Sequence, residues 1–261
     1  MRQTRSAFRD AIRLALLTLV LPVIGAGESS AQVGPAPAKK AFVGVSVGAQ
    51  PRRQSLTMRS TAEGLYGEGA TFDGTQSIGN GPIFDVAGGY RVWENFFVGV
   101  GYSSFSKKGD SSVTARIPNP LFFDQFKTVT QAVSDLEHKE QNVYLQGMWF
   151  FDVSEKIDVA VQGGVAFVSV TQARFTAFGV PSGTQDLSFK VGSESQRTTG
   201  GTVGFDGTYL VRRNIGVGLF MRYVAASVAF PAVGDEKAGF VALNDVKAGG
   251  FHVGVGIRYR F

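Results

Sequence analysis

The chain carries few groups with the types and spacing of reactive chemistry. His138 stands in a polar stretch beside Glu137 and Glu140, and His252 lies near the start of an alternating run at the far end of the sequence. A catalytic histidine needs a nucleophile or an acidic proton within reach, usually fixed by a local motif. Neither histidine has a serine partner at a recognisable spacing. Ser104 and Lys107 match a Ser-x-x-Lys spacing, but they sit at a strand end, without the helix that such a motif requires. The pairs Gly99/Gly101, Gly216/Gly218 and Gly254/Gly256 lack the third glycine and the strand-to-helix setting of a nucleotide fingerprint. With no cysteine in the chain, thiolate metal sites and disulfides are excluded, and no His/Asp/Glu cluster has ligand spacing. No catalytic residue, cofactor or metal is expected.

A set of alternating charges remains: Asp85, Arg91, Asp158, Asp206, Arg222, Arg258 and Arg260. Each directly follows an apolar or aromatic residue, so a strand would turn all seven to one face and the residues before them to the other. Three acids against four bases read as a charge network neutralising itself inside a packed polar lumen. A gated ion path through the same plug is the alternative. The short turn at Arg212–Asn214 places Asp206 opposite Phe220, with Arg222 the diagonal neighbour, so Asp206 and Arg222 are expected to pair.

The elements that position these charges are strands. In the last eleven residues Phe251, Val253, Val255, Ile257, Tyr259 and Phe261 point one way. His252, Gly254, Gly256, Arg258 and Arg260 point the other. A polar face that is also small suits the inside of a narrow closed barrel whose outside meets lipid. The same pattern recurs over 41–50, 82–93, 96–106, 142–151, 157–172, 199–211 and from 215 onward. Turns at 94–95, 152–156 and 212–214 are short, whereas 51–81, 173–198 and 231–247 read as long polar loops. The connection 107–139 admits a helix capped by Asn119-Pro120 or an outward extension of strands three and four. The β-branched runs Ser112–Ile117 and Phe126–Val133 favour the extended hairpin, turning near 118–125.

The front of the chain has its own pattern. Arg2, Arg5, Arg9 and Arg13 precede an apolar run from Leu14 to Ile24, and small residues follow at Ser29-Ser30-Ala31. This is the three-part form of a signal peptide, residues 1–31, cleaved after Ala31, with too short a run to span a bilayer as a helix. Residues 32–40 form a lead-in and 41–261 one barrel domain. The net charge is +5, or +3 without residues 1–31, which hold four arginines against Asp10 and Glu28. No basic patch dense enough for nucleic acid appears. Thirty-four glycines, 22 phenylalanines and no second long apolar run exclude a helical membrane protein.

The expected fold is all-β, an eight-stranded antiparallel up-and-down transmembrane β-barrel with three short turns and four long loops. Trp93, Phe96, Trp149, Phe151, Tyr209, Tyr259 and Phe261 gather at the short-turn ends as an interfacial girdle. Across nearly all of 41–261 the pattern resembles the small bacterial outer-membrane β-barrel family of the OmpA transmembrane-domain type. The resemblance implies the bacterial outer membrane as location, with outer-membrane lipid and the outer-membrane assembly machinery as partners. In that family the alternating run from Phe251 to the aromatic at Phe261 acts as the assembly signal. A monomer with a structural or surface-interaction role is expected, with loops open to an extracellular ligand. A narrow pore, a lipid-modifying barrel enzyme and a soluble secreted barrel are the alternatives.

Overall fold

The computed structural model describes residues 40–235, 239–243 and 245–261. The expected signal peptide, its cleavage after Ala31, and the lead-in up to residue 39 lie outside the described residues. Among the described residues there are twelve strands, and every pairing between them is antiparallel. They are β1 (Ala41–Gln50), β2 (Gln54–Leu65), β3 (Glu68–Ile78), β4 (Gly81–Trp93), β5 (Phe96–Pro118) and β6 (Phe126–Ser154). After these come β7 (Ile157–Gly179), β8 (Ser188–Leu210), β9 (Ile215–Val228), β10 (Val233–Asp235), β11 (Gly239–Leu243) and β12 (Val246–Arg260).

Eight of the twelve close a ring. From β1 the ladder runs through β4, β5, β6, β7, β8, β9 and β12, and β12 pairs back onto β1 with Val43 opposite Tyr259. Over the height of that ring, closure leaves no sheet edge, which is the condition for strands to stand in lipid. The structure is an eight-stranded antiparallel barrel. Its outward side chains form an apolar belt: Val45, Val100, Leu145, Val165, Val203, Val217 and Val255 are all exposed. In water so wide an apolar surface would aggregate.

Two aromatic rings bound that belt. Trp93, Trp149, Phe151, Tyr209, Tyr259 and Phe261 lie exposed at the short-turn end. Phe84, Phe167, Tyr223 and Phe251 lie exposed toward the other end. On β12 the rings are eight residues apart, about 26 Å of strand, or about 20 Å of height at a usual barrel tilt.

Beyond the second ring the strands change sides. On β5, Val98 and Val100 face out while Gly99, Gly101 and Ser103 face in. Further along, Ser112, Thr114 and Arg116 face out while Val113, Ala115 and Ile117 are fully buried. The outward face passes from apolar to polar and the inward face from polar to apolar, so the solvent outside changes between them. This inversion explains where the sequence reading departs from the structure. Segments 51–81, 173–198 and 231–247, expected as loops, instead carry β2 and β3, the outer parts of β7 and β8, and the short strands β10 and β11. The water-facing residues of β2 and β3 are polar, which lowers the mean hydropathy of 51–81 to that of a loop. Their buried residues still alternate: Leu56 and Met58 on β2, Ala70 and Phe72 on β3.

The 107–139 connection is the extended hairpin, with Pro118 paired to Phe126. The Asn119 side chain caps its turn, not a helix, accepting hydrogen bonds from the N–H groups of Leu121 (2.8 Å) and Phe122 (3.2 Å). Leu56, Met58, Phe72, Ile117, Phe175 and Phe178 belong to one apolar core inside this outer layer. Tyr66 Oη donates to the Thr184 carbonyl at 2.9 Å, and the Asp124 N–H donates to Glu68 Oε1 at 2.9 Å. Three hairpin tips are thereby tied together. Because Val113 is buried and Ser112 exposed, Val113→Thr should cost about 1–3 kcal/mol and Ser112→Val less than about 0.5 kcal/mol. Urea unfolding in lipid vesicles measures both; similar small effects would mean that no packed outer core exists.

Candidate functional site

Inside the barrel the short-turn end is closed by Phe42, Phe97 and Phe150 with Met148. The Phe97 and Phe150 ring centroids are 4.6 Å apart, and Phe42 to Phe150 is 5.7 Å. Six of the seven expected charges form three pairs within the barrel. Arg260 pairs with Asp158. Arg258 Nη2 lies 2.5 Å from Asp206 Oδ2, and its Nη1 donates to Ser46 Oγ at 2.7 Å. Arg222 Nη1 lies 2.5 Å from Asp85 Oδ2. Arg91 stands half-buried near the short-turn end of β4.

The expected Asp206–Arg222 pair is not formed. The register behind it holds, since Asp206 is opposite Phe220. But Arg222 extends toward Asp85 on β4, three strands round the ring from β9, while Asp206 takes Arg258. A narrow lumen brings opposite walls within reach of a long side chain, and hairpin counting cannot register that. The guanidinium of Arg222 also lies 4.2 Å from the Tyr144 ring centroid, a cation–π contact made where water is scarce. Tyr144 Oη is 2.6 Å from Ser103 Oγ, which accepts from Asn142 Nδ2 at 3.2 Å.

The inward glycines give these chains room. A Cβ built on Gly44 would stand 2.7 Å from Arg258 Cδ, and one on Gly218 would stand 3.0 Å from its Nε. Arg258 lies across both positions, so a side chain at either would require it to shift. A small cavity of about 20 Å³ lies among Asp85, Gln162, Asp206, Arg222, Arg258 and Arg260. That is room for about one water, not a channel.

A second polar layer separates these pairs from the apolar outer core. Glu140, fully buried, accepts from His138 Nε2 at 2.8 Å, from the Gly249 N–H at 2.9 Å and from Gln50 Nε2 at 3.3 Å, and it pairs with Arg52. Hydrogen bonds to one carboxylate thus join β1, the β1–β2 link, β6 and β12. His138 is not in a loop, as its polar neighbours suggested. It is an inward residue of β6, with its Nδ1 2.6 Å from Gln172 Oε1, and Gln172 Nε2 donates to Gln76 Oε1 at 2.8 Å. His252 faces inward as expected, and both its ring nitrogens lack a hydrogen-bond partner among the described residues. Glu140, Arg52, Gln50, Gln172 and Tyr144 were not among the residues singled out from sequence. The signal was present, because Leu136, His138, Glu140, Asn142, Tyr144 and Gln146 alternate inward along β6.

Among the described residues no group of His, Asp and Glu is arranged to hold a metal. Neither histidine has a hydroxyl nucleophile among its hydrogen-bond partners, so the geometry is that of packed charge.

No family model and no curated protein matches the sequence. The solved structures it resembles are bacterial outer-membrane β-barrels. Neisserial surface protein A shares 13% identity at a TM-score of 0.41, covering 85% of this chain and 97% of the other. OprG of Pseudomonas aeruginosa shares 11% at 0.45, covering 85% and 96%. The outer membrane protease OmpT of Escherichia coli shares 10% at 0.42, covering 89% and 100%. The eight-stranded closure rests on the strand ladder itself.

Proposed function

We propose that the chain is an integral protein of the bacterial outer membrane, a monomer with a structural or surface-interaction role and no catalytic activity. The observation that carries this is the apolar belt on a closed ladder, bounded by two aromatic rings and followed by the inversion of polarity. Lipid on the outside of the barrel and water beyond it satisfy every face. Its partners on this reading are the outer-membrane lipid, the assembly machinery that inserts it, and an extracellular ligand reached through the outer hairpins.

The packed lumen favours a closed barrel over a pore. Three buried ion pairs and the Phe42/Phe97/Phe150 plug fill a cross-section in which an eight-stranded barrel has room for side chains and little else. Refolded protein in planar bilayers should give no steady single-channel conductance at moderate voltage. Regular open events in the parent protein would establish the pore reading instead. Recovery in the inner-membrane or soluble fraction would remove the outer-membrane assignment.

A further inference from the structure

The barrel wall has an unfilled seam in its outer layer. β6 and β7 pair from the short-turn end up to His138 opposite Gln172, and no pair between them is made beyond. The same two strands continue outward on their other sides, β6 with β5 to Phe126 and β7 with β8 to Gly179. The seam is bridged again near its top, where Lys127 Nζ lies 3.9 Å from Asp186 Oδ1 and Gln185 Nε2 donates to the Ile117 carbonyl at 3.2 Å. Between these closures, no described strand pairs with the free edge of β6.

The hydrogen-bonding sense of that edge can be worked out. In an antiparallel pair, facing residues alternate between exchanging backbone hydrogen bonds and turning them away. The Asn119 N–H donates to the Gln125 carbonyl at 2.8 Å, which puts 119/125 in the bonded class and, by alternation, 115/129 and 113/131 with it. Thr114 and Thr130 then fall in the other class, consistent with their hydroxyls lying 3.1 Å apart. Thr128, Thr130 and Ala132 therefore turn their N–H and C=O groups into the seam.

Exposed edges are normally blunted by charge, proline or a bulge. The free edge of β8 over 188–200 carries Lys190, Glu194 and Arg197, and β7 carries a bulge between Phe175 and Ala177 in its ladder to β8. The β6 segment Thr128–Ser134 has no charge, proline or glycine, and four of its seven residues are β-branched. Lys127 ends it on one side. On the other, Asp135 has a left-handed φ of 65°, next to the register shift opposite Gly109 and Ser111. On the inward face Val129 and Val133 pack against the outer core and remain only partly buried.

We propose that this edge of β6 binds an extended peptide strand of another protein by strand addition. The bound strand is uncharged over about seven residues. Its inward side chains, at alternate positions, are apolar and finish covering Val129 and Val133, while its outward ones are polar beside Thr128 and Thr130. The proposal rests on the surface-interaction reading and gives that reading its ligand class.

The test uses the full barrel in detergent micelles and a fluorophore-labelled synthetic peptide, Thr-Val-Thr-Val-Thr-Val-Ser, which is uncharged and apolar at alternate positions. Saturable binding by fluorescence anisotropy is expected, weakened roughly tenfold by Thr130→Pro, which removes a seam-facing N–H without touching the ladder to β5. Ala132→Lys keeps every backbone group and adds a blunting charge, so it should weaken binding as well, and it serves alone if the proline variant does not fold. A peptide with proline at its centre should not bind. Equal affinity in parent and Ala132→Lys, or no saturable binding, overturns the proposal. So does a dimer of the parent that Thr130→Pro abolishes, since the edge then serves a second copy of this chain. Outer-membrane fractionation reads the membrane assignment separately, and a negative peptide result leaves that assignment standing.

Discussion

Arg222→Ala is expected to destabilise the barrel by about 3–5 kcal/mol, because it leaves the Asp85 carboxylate buried without its counter-charge. Both groups are nearly inaccessible, with side-chain exposures of 2% for Arg222 and 4% for Asp85. The arginine also loses its place over Tyr144, and the tyrosine loses a cationic neighbour. Asp85→Ala should cost a similar amount for the mirror reason, since a lone guanidinium has little water to turn to. The double variant should be less damaged than the sum, because no uncompensated charge remains. Urea unfolding in vesicles gives the four stabilities of the cycle. The coupling of Arg222 with Asp85 should exceed its coupling with Asp206, whose partner is Arg258. A larger coupling with Asp206 would restore the pairing inferred from the hairpin register.

The second large effect is on the outside. Val217→Arg should cost about 2–4 kcal/mol if the belt stands in lipid near the bilayer midplane. Val217 faces outward on β9 and is about half exposed, between Tyr209 and Ile257 on the same outer face. In water the same substitution would be close to neutral. Thr114→Arg supplies the comparison, since Thr114 also faces outward but lies beyond the second aromatic ring, where the exterior is polar. It should change stability by less than about 0.5 kcal/mol. Equal costs at both positions in vesicles would mean that the polarity inversion does not mark the edge of the membrane.

The barrel itself was legible because lipid outside and a crowded lumen inside impose opposite chemistry on successive residues. Val217 and Gly218, or Ile257 and Arg258, declare their faces without any tertiary information. The outer layer obeys the same period with the chemistry reversed, and there hydropathy misleads. Leu56, Met58, Ala70 and Phe72 alternate as clearly as Val98 and Val100, but Arg59, Thr71 and Asp73 between them read as loop.

The candidate site was legible in membership more than in partnership. Asp85, Asp158, Asp206, Arg222, Arg258 and Arg260 all reach the lumen, because orientation is a local property of a strand. Which acid meets which base depends on distances across the ring, and those follow from barrel width and from glycines such as Gly44 and Gly218. Asp206 opposite Phe220 was within reach of counting along a hairpin; Arg222 with Asp85 was not. His138 and Glu140 were hidden by their exposed neighbours Glu137 and Lys139, which made an inward alternation look like a charged loop.

The change of environment along single strands is directly measurable, because the chain contains no cysteine. Single cysteines at Val100 and Val217 in the belt and at Ser112 and Thr114 beyond it can each carry an environment-sensitive fluorophore. The refolded barrels are then placed in vesicles containing a quencher fixed in the acyl chains. Quenching should be strong at positions 100 and 217 and weak at 112 and 114, with a water-soluble quencher giving the reverse order. Comparable access of the aqueous quencher to all four positions would contradict a membrane-spanning barrel, whatever its fold.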